Sequence, residues 1–252
     1  KKAEIEIKNA LQLQPESSDA YYQLGQVFLK QGKARKAFQA YSKTTQLNPE
    51  HSKANLRLAA FYLGAGRIED ALKTAQSALQ NAQNSTEARL TYASVLVSDK
   101  AYNDALEQVN TLIESEPENV RAHLLKGNCL IGLGKIDAAE SALQKAVDLD
   151  KDSPNARYQL ARFYAAKRNQ EKTESILKSI ELDFPKNPKH SMNLAKFYLL
   201  TNQPELAEEE LRQTINKAPE NIQAYNSLAR FYLMQREVGK AEDIQEQAVE
   251  AI

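Results

Sequence analysis

The stretch from Ser18 to His51 recurs along the chain at an interval of 34 residues, and that period constrains the architecture more than any local preference does. Gly25 is followed at this interval by Ala59, Ala93, Gly127, Ala161, Ala195 and Ala229. Ala37 recurs as Ala71, Ala105, Ala139, Thr173, Ala207 and Ala241. Pro49 recurs as Pro117, Pro185 and Pro219, with Pro15 one period upstream; Gln83 and Lys151 interrupt the series. No insertion or deletion disturbs the register. A chain of 252 residues would otherwise suggest one or two globular domains, but a fixed period predicts one elongated array without an internal boundary. Its divisions are 1–17, the second helix of a truncated repeat, then 18–51, 52–85, 86–119, 120–153, 154–187, 188–221 and 222–252.

Within the first full copy, Tyr21, Leu24, Gly25 and Phe28 fall on one face of a helix, and Ala37, Tyr41 and Thr44 form the facing stripe of a second. The small Ala37 lets the two backbones approach, so each copy reads as an antiparallel helical hairpin. The prolines agree with this reading. Pro15, Pro49, Pro117, Pro185 and Pro219 lie just beyond second helices, while Pro154, Pro188 and Pro204 open helices, where the missing N–H removes nothing. Gly32, Gly66 and Gly134 share one site between paired helices, suited to a left-handed residue. The other copies place Lys100, Arg168, Asn202 and Arg236 there, which predicts strain or a different closure.

Composition narrows the function. The chain carries 33 basic and 33 acidic residues, so no bulk field draws it to nucleic acid. No apolar run approaches a membrane span, so no insertion is expected of this stretch. The chain opens without Met, partway into a repeat, and is expected to be a piece of something longer, with any targeting segment outside it. His51, His123 and His190 have no metal-ligand spacing and read as surface or helix-start residues. The single Cys129 lies beside packing positions and reads as a buried structural thiol. Gly132 and Gly134 follow no strand and form no phosphate loop. The run Glu208–Glu210 reads as a solvated helix face, and Tyr164, Tyr198 and Tyr232 read as core. No catalytic constellation, metal or cofactor is predicted; the chain is expected not to be an enzyme.

The sequence order of aromatic, Leu, Gly, Tyr, then Ala, aromatic and Pro resembles the tetratricopeptide repeat, matched by Tyr21, Leu24, Gly25, Phe28, Ala37, Tyr41 and Pro49 in the first copy. The resemblance covers residues 18–252 and implies an all-α, right-handed superhelical solenoid whose first helices line a concave groove that binds a protein or peptide. Mapped onto that groove, one row is Tyr22, Leu56, Leu90, Leu124, Tyr158, Met192 and Asn226. A second row, four residues on, is Gln26, Ala60, Ser94, Asn128, Arg162, Lys196 and Arg230. Its last three members form a basic ladder, which predicts an acidic peptide or another anionic chain as ligand. The family's two-carboxylate clamp for chaperone tails needs Lys in the first row, and there is none. The last helix, near 239–252, is expected to leave Ile244, Val249 and Ile252 as apolar surface open to self-association. The opening repeats also resemble bacterial tetratricopeptide proteins of surface-protein sorting (PEP-CTERM type) and exopolysaccharide export, which implies an envelope scaffold. The alternative is a regulatory or targeting array of an enzyme whose catalytic part lies elsewhere.

Overall fold

A computed structural model describes residues 2–251. Among them are fifteen α-helices and no strand, in two compact units that divide after Leu149. In the first unit α1 (Lys2–Leu13) precedes four hairpins: α2 (Ser18–Lys30) with α3 (Ala34–Leu47), α4 (Ser52–Gly64) with α5 (Ile68–Gln80), α6 (Thr86–Ser98) with α7 (Tyr102–Ser115), and α8 (Val120–Gly132) with α9 (Ile136–Leu149). The second unit holds three more: α10 (Pro154–Ala166) with α11 (Gln170–Asp183), α12 (Pro188–Leu200) with α13 (Pro204–Lys217), and α14 (Ile222–Met234) with α15 (Val238–Glu250).

Every first helix begins on the same device, spaced one period apart. Ser17, His51, Ser85, Asn119, Ser153, Asn187 and Asn221 each accept a backbone N–H of the first turn through the side chain, at 3.0–3.4 Å. Serine, asparagine and a neutral imidazole nitrogen are chemically interchangeable in that role. A second device ties four of the first helices, α4, α6, α8 and α10, to the loop before them. The side chains of Asn55, Arg89, His123 and Arg157 each donate to the carbonyl six residues back, at Pro49, Gln83, Pro117 and Lys151. His123 therefore carries its proton on Nε2. Of the reading as surface or helix-start residues, the second part holds: His123 and His190 stand at the starts of α8 and α12 but are buried, and His51 is the helix cap.

The turn inside each hairpin closes the same way whatever residue occupies it. Gly32, Gly66 and Gly134 have φ of 70–72°, and Lys100, Arg168, Asn202 and Arg236 have φ of 57–64°. Gly32 N–H donates to Leu29 O and Lys33 N–H to Phe28 O; Arg168 and Asn169 repeat both bonds to Ala165 and Tyr164. The non-glycine copies are strained and do not close differently. Arg168→Gly is therefore expected to raise stability by about 1 kcal/mol, whereas Asn202→Gly changes it little because asparagine tolerates this region. Urea titrations of the two variants measure the difference.

The cores are small and repeat from copy to copy. Leu24, Phe28, Ala37, Ala40 and Tyr41 pack together with Leu58 in the first unit, and Ala195, Leu211, Tyr225, Leu228 and Tyr232 in the second. Ile244 belongs to this second core at 4 % exposure, so it is not the apolar surface expected of the last helix; Val249, at 74 %, is exposed. Ile252 lies outside the described residues.

Candidate functional site

Two recesses define the face that the first helices offer. In the first unit Asp19, Tyr22, Gln23 and Gln26 of α2, with His51, Ser52 and Lys53 at the head of α4, line a polar recess of about 630 Å³. Tyr22 packs on Tyr41 and His51 with ring centroids 5.6 and 4.8 Å away, and its hydroxyl accepts from Gln26 Nε2 at 3.0 Å. His51 Nε2 lies 3.3 Å from Asp19 Oδ1. In the second unit a larger cleft of about 910 Å³ lies between α12, which contributes Lys189, Met192, Asn193, Lys196 and Leu199, and α14, which contributes Gln223, Ser227, Arg230, Phe231 and Met234.

Both recesses use equivalent positions. Asp19, Gln23 and Gln26 are spaced four and three residues apart, and so are Lys189, Asn193, Lys196 and Gln223, Ser227, Arg230. These spacings put each trio on one helical face. In each unit the recess therefore uses the row of Gln26 or its equivalents Lys196 and Arg230, together with two rows that sequence reasoning missed, those of Asp19 and Gln23. Within the first unit the other trios are Lys53, Arg57, Ala60, then Glu87, Thr91, Ser94; in α8 the pattern breaks, because Leu125 between Arg121 and Asn128 is buried in the core with Leu90 and Leu112. Arg57 reaches Glu87 at 4.0 Å, so opposite charges alternate along these helices.

The row from Tyr22 to Asn226 behaves differently. Leu56, Leu90 and Leu124 are only 6, 3 and 8 % exposed, which corrects the expectation that they face a ligand. Leu56 packs on Ala78 and Ala88, and Leu90 on Leu112 and Ala122. The fully buried alanines at the start of the next first helix, Ala88 and Ala122, are spaced by the period and form the sequence signal of this contact. In the second unit His190 takes the alanine's place, and Tyr158 meets it with a hydroxyl 2.7 Å from Nδ1 while accepting from Asn193 Nδ2 at 2.9 Å. Burial raises the Tyr158 phenol above its usual range, and Tyr158 acts as a strut between α10 and α12. Met192 is half-buried in the cleft; Asn226 is exposed but does not line it.

Arg162, Lys196 and Arg230 are all exposed, at matching sites on α10, α12 and α14. Among the described residues none of the three forms an ion pair; Arg162 donates only to Gln159 Oε1, at 3.3 Å. Two glutamates of this unit are engaged by tyrosine hydroxyls and by neighbours on their own helices. Glu174 accepts from the Tyr198 hydroxyl at 3.0 Å and pairs with Lys178 at 2.8 Å; Glu208 accepts from the Tyr232 hydroxyl at 2.5 Å and pairs with Arg212 at 2.9 Å. Both carboxyls are held below their usual range, Glu174 chiefly by Lys178 and Glu208 chiefly by the tyrosine bond, while burial and Glu208 push the Tyr232 phenol up to about 12. Glu208 and Glu210 are half-buried, so the run Glu208–Glu210 is a packed seam with only Glu209 exposed, not a solvated face. Tyr164, Tyr198 and Tyr232 are buried as expected.

Chemically reactive groups are not gathered on either face. Cys129 is fully buried with Leu96 and Ala105, and burial pushes its thiol up to about 11. Among the described residues no three His, Cys, Asp or Glu side chains converge as metal ligands, and no helix is long and apolar enough to cross a membrane.

Stacked helical hairpins with an open, side-chain-variable first-helix face define a repeat scaffold for binding. The chain matches the tetratricopeptide repeat over residues 28–95 and 130–196, more than half its length, and other tetratricopeptide descriptions over 7–39 and 192–252. It belongs to the tetratricopeptide repeat family. Residues 65–146 also match subunit 3 of the anaphase-promoting complex, cyclosome. Among solved structures, a tetratricopeptide repeat protein from Parabacteroides merdae is similar at 19% identity and TM-score 0.61, covering 93% of this chain and 98% of that one. Pseudomonas aeruginosa pilF is similar at 18% identity and TM-score 0.59, covering 86% and 98%. The APC/C hetero-tetramer Cut9–Hcn1 is similar at 17% identity and TM-score 0.64, covering 92% of this chain and 46% of that one. A comparison with curated proteins yields no match. These likenesses carry the fold; a tetratricopeptide array is a scaffold for protein–protein interaction.

Proposed function

We propose that the chain is a non-catalytic scaffold that grips an anionic segment of a partner protein along the first-helix face of its second unit. The observation that carries this reading is the trio Arg162, Lys196 and Arg230, exposed at equivalent sites and without a carboxylate partner among the described residues. Exposed cations that no neighbour neutralises create a local attractive field in a chain of zero net charge. The resemblance of the opening repeats to envelope sorting and export proteins extends the proposal to a bacterial envelope setting, and cell fractionation with a tagged full-length protein tests that part.

The binding proposal is tested by capture from envelope and cytosolic extracts with the wild-type chain and with an Arg162→Ser, Lys196→Ser, Arg230→Ser variant. A partner retained by the first and lost by the second is the expected result. The same partner held equally by both would remove the basic trio from the binding surface.

A further inference from the structure

Resting on the scaffold reading above, we infer that the cleft between α12 and α14 recognises a peptide in which an aliphatic or aromatic side chain is flanked by carboxylates, and not an anionic polysaccharide. The cleft has two kinds of wall. Lys196 and Arg230 stand one repeat apart on its two helices, with Lys189 near its head and Glu220 as the one acidic side chain lining it. Its other wall is apolar: Met192, Leu199 and Met234 line it, over the buried Phe231 and Leu211. Met234 is 70 % exposed, a large apolar area left to water in the free protein.

Apolar and cationic walls in one cleft ask for a ligand that is both apolar and anionic. Methionine side chains are unbranched and polarisable, and fit anchors of differing shape. The cleft offers no ring for a sugar or base to stack on, because Phe231 is 4 % exposed and packs on Tyr232 with centroids 5.4 Å apart, and a purely polar chain has no apolar group to cover Met192 and Met234. The polar floor suits a peptide backbone. Asn193 uses one Nδ2 N–H on the Tyr158 hydroxyl, which leaves the other to donate and Oδ1 to accept, and Ser227 donates to Gln223 O, which leaves its oxygen lone pairs to accept. The N–H and C=O groups of a peptide backbone meet such a mixture of acceptors and donors.

A display library of random twelve-residue peptides, selected on the immobilised wild-type chain, tests the inference. Enriched peptides are expected to carry an aliphatic or aromatic residue with Asp or Glu on both sides. The strongest of them, labelled with fluorescein, is then titrated against variants, with polygalacturonate as the anionic polysaccharide probe. Lys196→Ser with Arg230→Ser is expected to weaken the peptide at least tenfold, and Met234→Ser about fivefold. Met234 is exposed, so its replacement leaves the helical circular dichroism unchanged. Enriched peptides without acids, indifference to Met234→Ser, or polygalacturonate binding lost in the same variants would overturn the inference. Enrichment that ignores all three substitutions would remove this cleft, and Lys196 and Arg230 with it, from the binding surface and leave standing only that the chain is a binding scaffold; no enrichment at all would count against both.

Discussion

Gly25→Ala is expected to destabilise the first hairpin by about 1–3 kcal/mol, although alanine is the better helix former and stands at this position in five of the six later copies. The reason is the residue across the interface. A Cβ at Gly25 would lie 2.5 Å from Cε1 and 2.8 Å from Cδ1 of Tyr41, a ring that is fully buried and has nowhere to retreat. Gly127 is also tight, at 2.6 Å, but there the close atoms are the branched end of Leu143, which can turn aside as a ring cannot. In copies with alanine at this site, the facing residue shares a core with it: Ala161 with Leu177, and Ala195 with Leu211. The double variant Gly25→Ala, Tyr41→Leu rebuilds that pairing and also removes a buried hydroxyl that has no partner. It is expected to recover most of the loss, and a double-mutant cycle by urea unfolding measures the coupling. Additive losses would mean that Gly25 is small for some reason other than Tyr41.

Glu210→Ile is expected to stabilise the second unit by about 1–3 kcal/mol near neutral pH, the reverse of what removing a charge from a surface does. One oxygen of this carboxylate is buried without a hydrogen-bond partner. Nearby Glu181 takes the donors, Lys217 Nζ at 2.7 Å and Ser191 Oγ at 3.1 Å. Burial, and then the charge of Glu181, raise the Glu210 carboxyl above its usual range. A carboxyl with a raised folded pKa binds its proton more tightly when folded, so the fold loses stability as pH rises from the ordinary value of 4.5 through the raised one. The gain from Glu210→Ile is therefore full at neutral pH and fades as pH falls back through that window. Ile176 occupies the same site one period earlier, which shows that the hairpin accepts the side chain. A gain that stayed constant down to pH 4 would assign it to packing alone.

The fold was legible because its signals are local and repeat. Proline at the head of α10, α12 and α13, and one turn residue per hairpin, place the helix ends from the sequence alone. The seven caps from Ser17 to Asn221 were equally local, yet hidden by their changing identity, since only the shared acceptor unites serine, histidine and asparagine. The candidate surface was half legible. Placing Tyr22 and Gln26 on one face is correct helical geometry, but the face turned outward is centred on Gln23, and the row of Leu56 leans onto the next helix instead. Which side of a stripe is covered depends on the neighbouring hairpin, and the buried alanine at Ala88 was the only trace of it. The seam of Glu208 and Glu210 was misread for the same reason: the hydroxyl of Tyr232, which engages Glu208, comes from the following hairpin, 24 residues on.

The central claim is that partners are held by the first-helix face of the second unit, and site-specific photo-cross-linking tests it most directly. A photoreactive residue is placed singly at Asn193, Ser227 or Arg230 on that face, and at Lys178, Glu209 or Asn216 on the second helices. Irradiation in cells is expected to give adducts of one common partner mass from the first set and none from the second. The same adducts from the second set, with the first set silent, would contradict the account.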